Sequence, residues 1–315
     1  MKKLLSYCLA ASFTLSAFAA DKLEIAVIPK GTTHSFWKSI EAGARKAGEE
    51  EGVQITWRGP LKEDDRAQQI GLVQQFVGSK VSAIVLAPLD GSALVSPVRA
   101  AAQANIPVVI IDSGIKAELG KDYVSFVATD NRKGGELAGE ELARILEGKG
   151  KVVLLRYSEG SESTNEREEG FLSVMKKNPG IEMTVTNRYA GATISQAQDS
   201  AMNLIDKIRE ADAVFCPNES SAVGMLFALR QNGLAGKKKF VGFDASPTLL
   251  QALKKGDIQA LVAQNPQQMG YMGVKTAVAA LRKQKVDTRI DTGCVLVTKE
   301  NMDKPEIKTV LGNNT

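Results

Sequence analysis

The sequence predicts an α/β protein made of two doubly wound, parallel-sheet lobes that are joined by a multi-strand hinge. Short runs rich in Val, Ile and Leu alternate with longer amphipathic stretches along almost the whole chain. The apolar runs lack polar alternation, which is typical of strands buried on both faces of a parallel sheet. The alternation occurs as two similar series that divide near residues 128–135, and this indicates two lobes of about equal size.

Ten strands are predicted, five in each series. They cover residues 23–29, 53–57, 81–88, 106–112 and 123–129 in the first series, and 151–157, 183–189, 212–217, 239–244 and 260–264 in the second. The stretches between them carry helical periodicity. We expect the first lobe to comprise residues 20–130 with 265–291, and the second lobe residues 131–264 with 292–315. Because no low-complexity linker separates the lobes, hinge motion is favoured over a flexible tether.

The first nineteen residues have the features of an export signal. Lys2 and Lys3 precede an apolar stretch that ends in small residues, with Ala17 and Ala19 at the positions that a signal peptidase requires. A membrane anchor is the alternative, but the apolar run is short and is broken by Ser and Thr. We therefore expect cleavage after Ala19 and an exported mature chain.

Composition and charge narrow the function further. The chain has 315 residues, 43% of them hydrophobic and 24% charged, as in a globular protein. Lys and Arg number 40 against 36 Asp and Glu, and loss of Lys2 and Lys3 would leave a net charge of about +2. No clustered basic face for nucleic acid is expected. Cys216 and Cys294 remain after cleavage and could pair in an oxidising compartment; we favour two free thiols.

Polar and aromatic side chains gather where the predicted strands end. Ligands of open α/β sheets bind beyond the carboxyl ends of the strands, so these side chains are expected to line a cleft between the lobes. The candidate ligand-binding residues are His34, Phe36, Trp37, Asp112 and Ser113 in the first lobe, and Arg167, Asn218, Asp244 and Gln264 in the second.

This set of residue types fits a neutral, polyhydroxylated ligand. Neighbouring hydroxyl groups both donate and accept hydrogen bonds, so carboxylates, amides and a guanidinium group can hold them in pairs. The C–H face of a sugar ring is apolar and can lie on an aromatic ring. The sequence therefore predicts a small carbohydrate as the ligand, with Phe36 and Trp37 stacking against it.

Six stretches, in the same order along the chain, carry a resemblance to a known family. They are HSFWKSIEAGARKAGEEEG, AIVLAPLDGSALVSPVRAAAQANIPVVIIDS, NEREEGF, DAVFCPNESSAVGMLFAL, VGFDASP and VAQNPQQMGYMGV. The chain resembles the periplasmic sugar-binding proteins of ABC importers, which include ribose-, allose- and galactose-binding proteins, over essentially its whole mature length. The resemblance implies the type I periplasmic binding fold, a periplasmic location, no cofactor, a monomer, and delivery of a sugar to a membrane permease. It also allows a chemoreceptor as a second partner.

The resemblance assigns roles to single residues. Phe36 and Trp37 match aromatics that sandwich the sugar, and the residues that match hydrogen-bonding positions are His34, Asp112, Arg167, Asn218, Asp244 and Gln264. Three positions depart from the ribose-binding pattern. Ser113 stands where an arginine is usual, Ala87 replaces an asparagine, and Ala192 replaces a third aromatic, for which Tyr189 is a possible substitute. The ligand expected is a larger sugar, a deoxy sugar or a polyol rather than ribose.

The same residues bear on other classes of function. The only histidine, His34, supports neither a metal site nor a catalytic dyad. The sequence has no dinucleotide fingerprint and no phosphate-loop lysine motif. Paired carboxylates such as Asp112 and Asp244 leave an exported carbohydrate-acting enzyme as one alternative, and a receptor for a sugar-like autoinducer is the other. A sugar-responsive repressor is excluded because the signal peptide stands where its DNA-binding module would be.

Overall fold

The computed structural model describes residues 22–312, so the predicted export signal at residues 1–19 lies outside the described part of the chain. Two six-stranded sheets form the centres of two lobes. In the first sheet all neighbouring strands are parallel. Its spatial order is β11 (Arg289–Asp291), β5 (Ser125–Ala128), β4 (Val108–Ile111), β3 (Ala83–Leu86), β1 (Glu24–Ile28) and β2 (Gln54–Trp57).

The second sheet repeats this order, and only its outer pair is antiparallel. Its spatial order is β12 (Cys294–Thr298), β10 (Ala260–Gln264), β9 (Lys239–Phe243), β8 (Ala213–Phe215), β6 (Lys149–Arg156) and β7 (Gly180–Tyr189). The two lobes are therefore related strand by strand. In each of them the point where the strand order reverses lies between the first and third strands, β1 and β3 or β6 and β8, which is where such sheets bind ligands.

Helices cover both faces of the two sheets. They are α1 (Ser35–Glu51), α2 (Arg66–Gly78), α3 (Val95–Gln103), α4 (Asn131–Ile145), α5 (Glu162–Lys176), α6 (Ile194–Asn203), α7 (Ile205–Glu210), α8 (Glu219–Gln231), α9 (Pro247–Lys255), α10 (Pro266–Leu281) and α11 (Pro305–Leu311). Within residues 22–312 none of these helices is both long and apolar enough to cross a bilayer.

All ten predicted strands are present, and the prediction of two doubly wound sheets is confirmed. Strands β11 and β12 were not predicted. They are edge strands of three and five residues and are only partly buried. Strand β11 (RID) has no apolar run, whereas β12 (CVLVT) has one and could have been predicted from it. Strand β7 begins at Gly180 rather than residue 183, and its pairing with β6 contains register shifts.

The chain passes between the sheets three times: after β5, after β10 and between β11 and β12. Helix α10 packs on α1 and on β3–β5 of the first sheet, whereas α4 packs on α5 and on β9 and β10 of the second. Asp291 Oδ1 accepts the backbone N–H groups of Asp130 (3.1 Å) and Gly293 (2.8 Å). These bonds tie two of the crossings together at the hinge.

Glycines allow the main helix pairs to approach closely. A Cβ atom at Gly135 on α4 would lie 1.9 Å from the carbonyl oxygen of Arg167 on α5, and one at Gly170 would lie 2.1 Å from that of Arg132. The α1–α10 pair has the same reciprocal arrangement, with Gly43 and Gly270. The backbone of Arg167 is thus held against a helix that begins just after the hinge.

Gly135→Ala is expected to lower the free energy of unfolding by about 3 kcal/mol, because overpacking of a closed contact is destabilising. It should also shift the backbone that carries Arg167 and so weaken ligand binding. Urea denaturation measures the first effect. Gly71→Ala is the matched control: Gly71 lies in α2 with open space around it, so this change should raise stability by about 0.5–1 kcal/mol. Equal stabilities of the two variants would contradict the assigned role of the contact.

Candidate functional site

A cavity lies between the carboxyl ends of the two sheets. About 320 Å³ in and around it, openings to solvent included, is unfilled by protein atoms. Both lobes contribute to its walls. The lining residues are Lys30, His34, Phe36, Trp37, Glu63, Asp112, Tyr157, Ser163, Thr164, Arg167, Asn218, Glu219, Asp244 and Gln264.

Two aspartates occupy equivalent places in the two lobes. Asp112 follows β4 and Asp244 follows β9, and both have left-handed backbone conformations, with φ of 63° and 72°. Asp tolerates this conformation better than most residues. Their N–H groups still complete the ladder to the next strand, on Val127 O (3.1 Å) and Val262 O (2.8 Å). The fold therefore places one carboxylate from each lobe in the cavity wall.

Lys30, at the end of β1, pairs with Asp112 inside the cavity wall. Its Nζ lies 3.0 Å from Asp112 Oδ2, and each of the two side chains is 4% exposed. The same Nζ donates across the cleft to the hydroxyl oxygens of Ser161 (3.3 Å) and Ser163 (3.0 Å). An ammonium group has three donors, so all three are used. Within residues 22–312 this pairing leaves Asp112 Oδ1 for a ligand.

Glu63 accepts hydrogen bonds from both lobes. His34 Nδ1 lies 2.5 Å from Glu63 Oε1, and Trp37 Nε1 donates to the same oxygen at 2.7 Å. The hydroxyl of Tyr157, which follows β6 in the other lobe, donates to Glu63 Oε2 at 2.7 Å. All four side chains are buried. The Glu63 carboxylate thus holds His34 and Trp37 in the cavity wall and contacts the opposite lobe through Tyr157.

The buried charges shift one another's protonation. Burial favours neutral imidazole, but the Glu63 carboxylate, with Glu219 and Asp244, raises the pKa of His34 to about 9. Burial alone would raise the pKa of Glu63, but His34 together with the Tyr157 and Trp37 donors lowers it to about 2. Burial raises the pKa of Asp244, and the positive charge of Arg167 opposes this increase. Burial also raises the pKa of Glu219, and the hydrogen bond from the Phe36 N–H opposes it.

Arg167 is fixed on three sides. Its Nε donates to Asn131 Oδ1 and its Nη1 to the carbonyl oxygen of Pro217, both at 2.9 Å. Its Cζ lies 4.0 Å from the centre of the Phe243 ring, a cation–π distance. A guanidinium group has five N–H donors in a rigid fork. Arg167 lines the cavity, and within residues 22–312 its Nη2 has no hydrogen-bond partner.

The second lobe also supplies amide groups. Asn218 caps helix α8 through the N–H of Ser221. Gln264 Nε2 donates to Asp244 Oδ1 at 2.7 Å, but its Oε1 is buried and has no hydrogen-bond partner within residues 22–312. Burial of an unpaired acceptor is unfavourable. A ligand hydroxyl at this position would satisfy it.

Glu219 joins the lobes at the start of helix α1. Its carboxylate accepts the N–H groups of Ser35 (3.2 Å) and Phe36 (3.0 Å), where the helix dipole favours negative charge. Its own N–H donates to Asp244 Oδ2 at 2.8 Å. The cleft is therefore closed by direct contacts between the lobes.

Eight of the nine residues selected from the sequence line this cavity: His34, Phe36, Trp37, Asp112, Arg167, Asn218, Asp244 and Gln264. The exception is Ser113, which lies outside the lining because its hydroxyl oxygen accepts the N–H of Ser163 at 3.1 Å. Tyr189 does not replace the missing aromatic, since it lies outside the lining and packs under Arg156. Phe36 and Trp37 meet edge to face, with ring centres 5.0 Å apart.

Sequence reasoning missed six lining residues: Lys30, Glu63, Tyr157, Ser163, Thr164 and Glu219. The position of Lys30 and Tyr157, directly after β1 and β6, was a usable signal. Glu63 lies further along the loop that follows β2 and not directly after the strand. The structure leaves Cys216 and Cys294 as free thiols, as favoured from the sequence. The described residues hold no His, Cys, Asp and Glu cluster suited to a metal ion.

Fold and site together define a two-lobed binding protein that closes around a small polar molecule. A family model described as "Periplasmic binding protein domain" matches residues 25–285, and the chain belongs to this family. Members of this family bind solutes for transport, so the chain is a binding protein and not an enzyme. The resemblance stated from the sequence is thereby confirmed.

Curated relatives and solved structures agree with this family. The ribose import binding protein RbsB of Escherichia coli is 31% identical, over 95% of this chain and 99% of that protein. A D-ribose/D-allose-binding protein of Pseudomonas aeruginosa is 30% identical, over 88% and 89%.

Two solved structures show the same fold with sugars bound. An ABC transporter solute-binding protein of Agrobacterium vitis with bound D-fucose has 39% identity and a TM-score of 0.88, over 92% of this chain and 100% of that one. A carbohydrate transporter solute-binding protein of Agrobacterium radiobacter in complex with D-arabinose has 36% identity and the same TM-score, over 93% and 100%. Both alignments extend over both lobes of this chain.

Proposed function

We propose that this protein is the sugar-capturing component of an ABC importer, and that its ligand is a neutral monosaccharide held between the two lobes by the lining residues described above. The closed form is then presented to a membrane permease. The relatives that bind ribose, allose, arabinose and fucose support a ligand of this size.

The mixture of unused donors and acceptors in the cavity carries this proposal. Arg167 offers N–H donors, while Asp112 Oδ1 and the unpartnered Gln264 Oε1 offer acceptors. A sugar hydroxyl both donates and accepts, so a ring with several hydroxyls can satisfy both kinds of group at once. Hydrogen bonds to charged partners contribute about 1.5–3 kcal/mol each. A few such bonds and one aromatic face suffice for micromolar affinity, about 8 kcal/mol.

The charges of the cavity favour a ligand without net charge. Lys30 is neutralised by Asp112, and His34 by Glu63. Arg167 faces Asp244, whose carboxylate it stabilises. Lys30 and His34 thus each have a carboxylate partner, and the fourth carboxylate of the lining, that of Glu219, is held by the backbone N–H groups of Ser35 and Phe36. An ionic ligand would leave one buried charge without compensation, which is unfavourable.

A thermal-shift and calorimetry panel tests the proposal. The mature protein is unfolded and refolded to remove any bound ligand, then mixed with D-ribose, D-allose, D-arabinose or D-fucose. A ligand at a hundredfold excess over its dissociation constant stabilises the folded state by about 2.7 kcal/mol. We expect a clear melting shift for at least one of these neutral sugars.

Charged analogues serve as controls for the same panel. D-Glucuronate and D-glucosamine should give no shift where neutral hexoses do, because each adds an uncompensated charge. A response only to a sugar-like autoinducer would replace the sugar-import proposal, and consumption of a bound sugar on long incubation would indicate an enzyme. A folded protein that responds to none of the neutral sugars would contradict the proposal.

The proposal extends to the export and assembly of the chain. Cleavage after Ala19 gives a mature protein that begins at Ala20, and intact-mass measurement of the exported protein checks this. The lobes are taken as residues 20–130 with 265–291 and residues 131–264 with 292–315. We propose a monomer that also serves a chemoreceptor; light scattering and receptor pull-down with the liganded protein test these two points.

A further inference from the structure

We infer that Glu63 is the positioning residue of the site: it fixes His34 and Trp37 for the ligand and couples them, through Tyr157, to closure of the opposite lobe. This inference rests on the proposed function in that it takes the cavity to be the sugar site. Its geometry, however, is independent of which sugar binds.

The carboxylate of Glu63 is occupied by protein donors. Oε1 accepts from His34 Nδ1 and Trp37 Nε1, and Oε2 accepts from the Tyr157 hydroxyl. Two carboxylate oxygens offer about four lone-pair sites, so three donors use most of its capacity. Glu63 is 8% exposed. It therefore acts on the ligand through the side chains that it holds.

The backbone around Glu63 is shaped to admit its stem. A Cβ atom at Gly31 would lie 2.8 Å from Glu63 Cγ, closer than real Cβ contacts allow. Gly31 directly follows Lys30 at the end of β1, and Glu63 lies in the loop between β2 and α2. A larger residue at position 31 would force the Glu63 side chain or its loop to shift.

Tyr157 makes this arrangement sensitive to closure. Glu63, His34 and Trp37 all belong to the first lobe, whereas Tyr157 follows β6 in the second and is 2% exposed. Its hydroxyl reaches Glu63 only when the lobes meet. Opening the cleft would leave Oε2 to water and would remove one of the donors that hold the carboxylate in place. Closure and the orientation of the ligand-facing side chains are thus linked by one residue.

His34 reports on this network because it is the only histidine in the sequence. Burial disfavours its charged form, and Glu63 is the main group that opposes this effect, with smaller contributions from Glu219 and Asp244. The other titratable or charged side chains that line the same cavity are Lys30, Asp112, Tyr157 and Arg167. Without the Glu63 charge, burial should prevail and the imidazole should lose its proton at much lower pH.

The first experiment is an NMR titration of the single imidazole in protein purified without a histidine tag. In the wild type we expect His34 to titrate near pH 9, and in Glu63→Gln at about 6.5, the ordinary value, or below. Glu169→Gln is the matched control: Glu169 is 67% exposed and pairs with Arg132 at the surface, so the wild-type titration should persist. A His34 titration that is the same in Glu63→Gln and in the wild type would overturn the inference.

The second experiment separates positioning from a merely structural effect and measures affinity for the four-sugar panel. In Tyr157→Phe, His34 should still titrate well above pH 6.5, because the contacts of Glu63 within the first lobe remain. The affinity for the tightest-binding sugar should fall about 5- to 20-fold, because the closed form loses the hydrogen bond between Tyr157 and Glu63. Glu63→Gln should weaken the same sugar more, and its difference from the wild type should grow between about pH 6.5 and pH 9, where only the wild-type imidazole stays protonated. Unchanged affinity in Tyr157→Phe would overturn the coupling to closure.

Two further measurements test the inference if a variant does not fold or if no sugar of the panel binds. Gly31→Ala displaces Glu63 without changing any charge, and should lower the His34 titration in the same direction as Glu63→Gln. It replaces that variant if Glu63→Gln does not fold. If no sugar binds the wild type, the proposed function fails, but the His34 titration still decides the role of Glu63. X-ray scattering of unliganded Tyr157→Phe, expected to be more open than the wild type, then decides the coupling.

Discussion

Asp112→Asn is expected to weaken sugar binding by about 10- to 150-fold. The free oxygen of this carboxylate is the charged acceptor that the first lobe offers, and a hydrogen bond to a charged group contributes about 1.5–3 kcal/mol. Asparagine has almost the same shape and tolerates the left-handed backbone at φ 63°. The substitution therefore tests charge and not backbone strain. Calorimetric titration with the best sugar of the panel measures the effect.

The same substitution should also destabilise the folded protein. Lys30 would remain buried without its anion, held only by the hydroxyls of Ser161 and Ser163. Removal of one partner of a buried pair typically costs about 3–5 kcal/mol. Asp206→Asn is the control, since Asp206 is 85% exposed in a surface pair with Arg209, and such pairs contribute little. Wild-type affinity in Asp112→Asn would show that this carboxylate does not contact the ligand.

Arg167→Lys is expected to reduce affinity at least about 100-fold, although the charge is retained. Lysine is a point charge on a flexible stem and cannot reproduce the fork that bonds to Asn131 and Pro217 and lies on Phe243. The carbonyl oxygen of Pro217 would lose its donor, at a cost of about 1–3 kcal/mol. We therefore expect a lower melting temperature together with the loss of binding.

The two effects of Arg167→Lys are separated by measuring affinity well below its melting temperature. Arg132→Lys, at a 52% exposed side chain on the neighbouring helix α4, should change neither affinity nor stability appreciably. A variant that is destabilised but binds normally when folded would assign Arg167 to the architecture of α5 and not to the ligand.

The fold could be predicted from the sequence because local periodicity encodes burial. Val, Ile and Leu runs without polar alternation mark strands covered on both faces, and the eight inner strands carry apolar runs. The predicted edge strands β2 and β7 are only partly buried. Strand β11 has one apolar residue, Ile290, and depends on its pairing with β5, whereas β12 carries the apolar run CVLV although it lies at an edge. The positions of β11 and β12 are set by the strands they pair with: β11 pairs with β5 at Phe126, and β12 pairs with β10 at Ala263.

The candidate site was predictable for a similar reason. Parallel strands end at a common edge, so polar residues directly after β1, β4, β6, β8, β9 and β10 had to face one another if the lobes met. Asp112 and Asp244 follow from this rule. Ser113 does not obey it in detail, because the next residue after a turn can point away from the cleft and bond to the opposing backbone, as its contact with Ser163 shows.

The sequence by itself determined the lobes, the strand ends and the chemical character of the cleft, since these depend on residue type and local order. Only the tertiary structure decided which buried groups pair. Glu63 and Tyr157 are 94 positions apart, and Lys30 and Ser161 are 131 positions apart. Such pairs form when closure removes water and each buried charge requires a partner within about 3 Å. That distance is set by the packing of whole lobes and leaves no periodic signal along the chain.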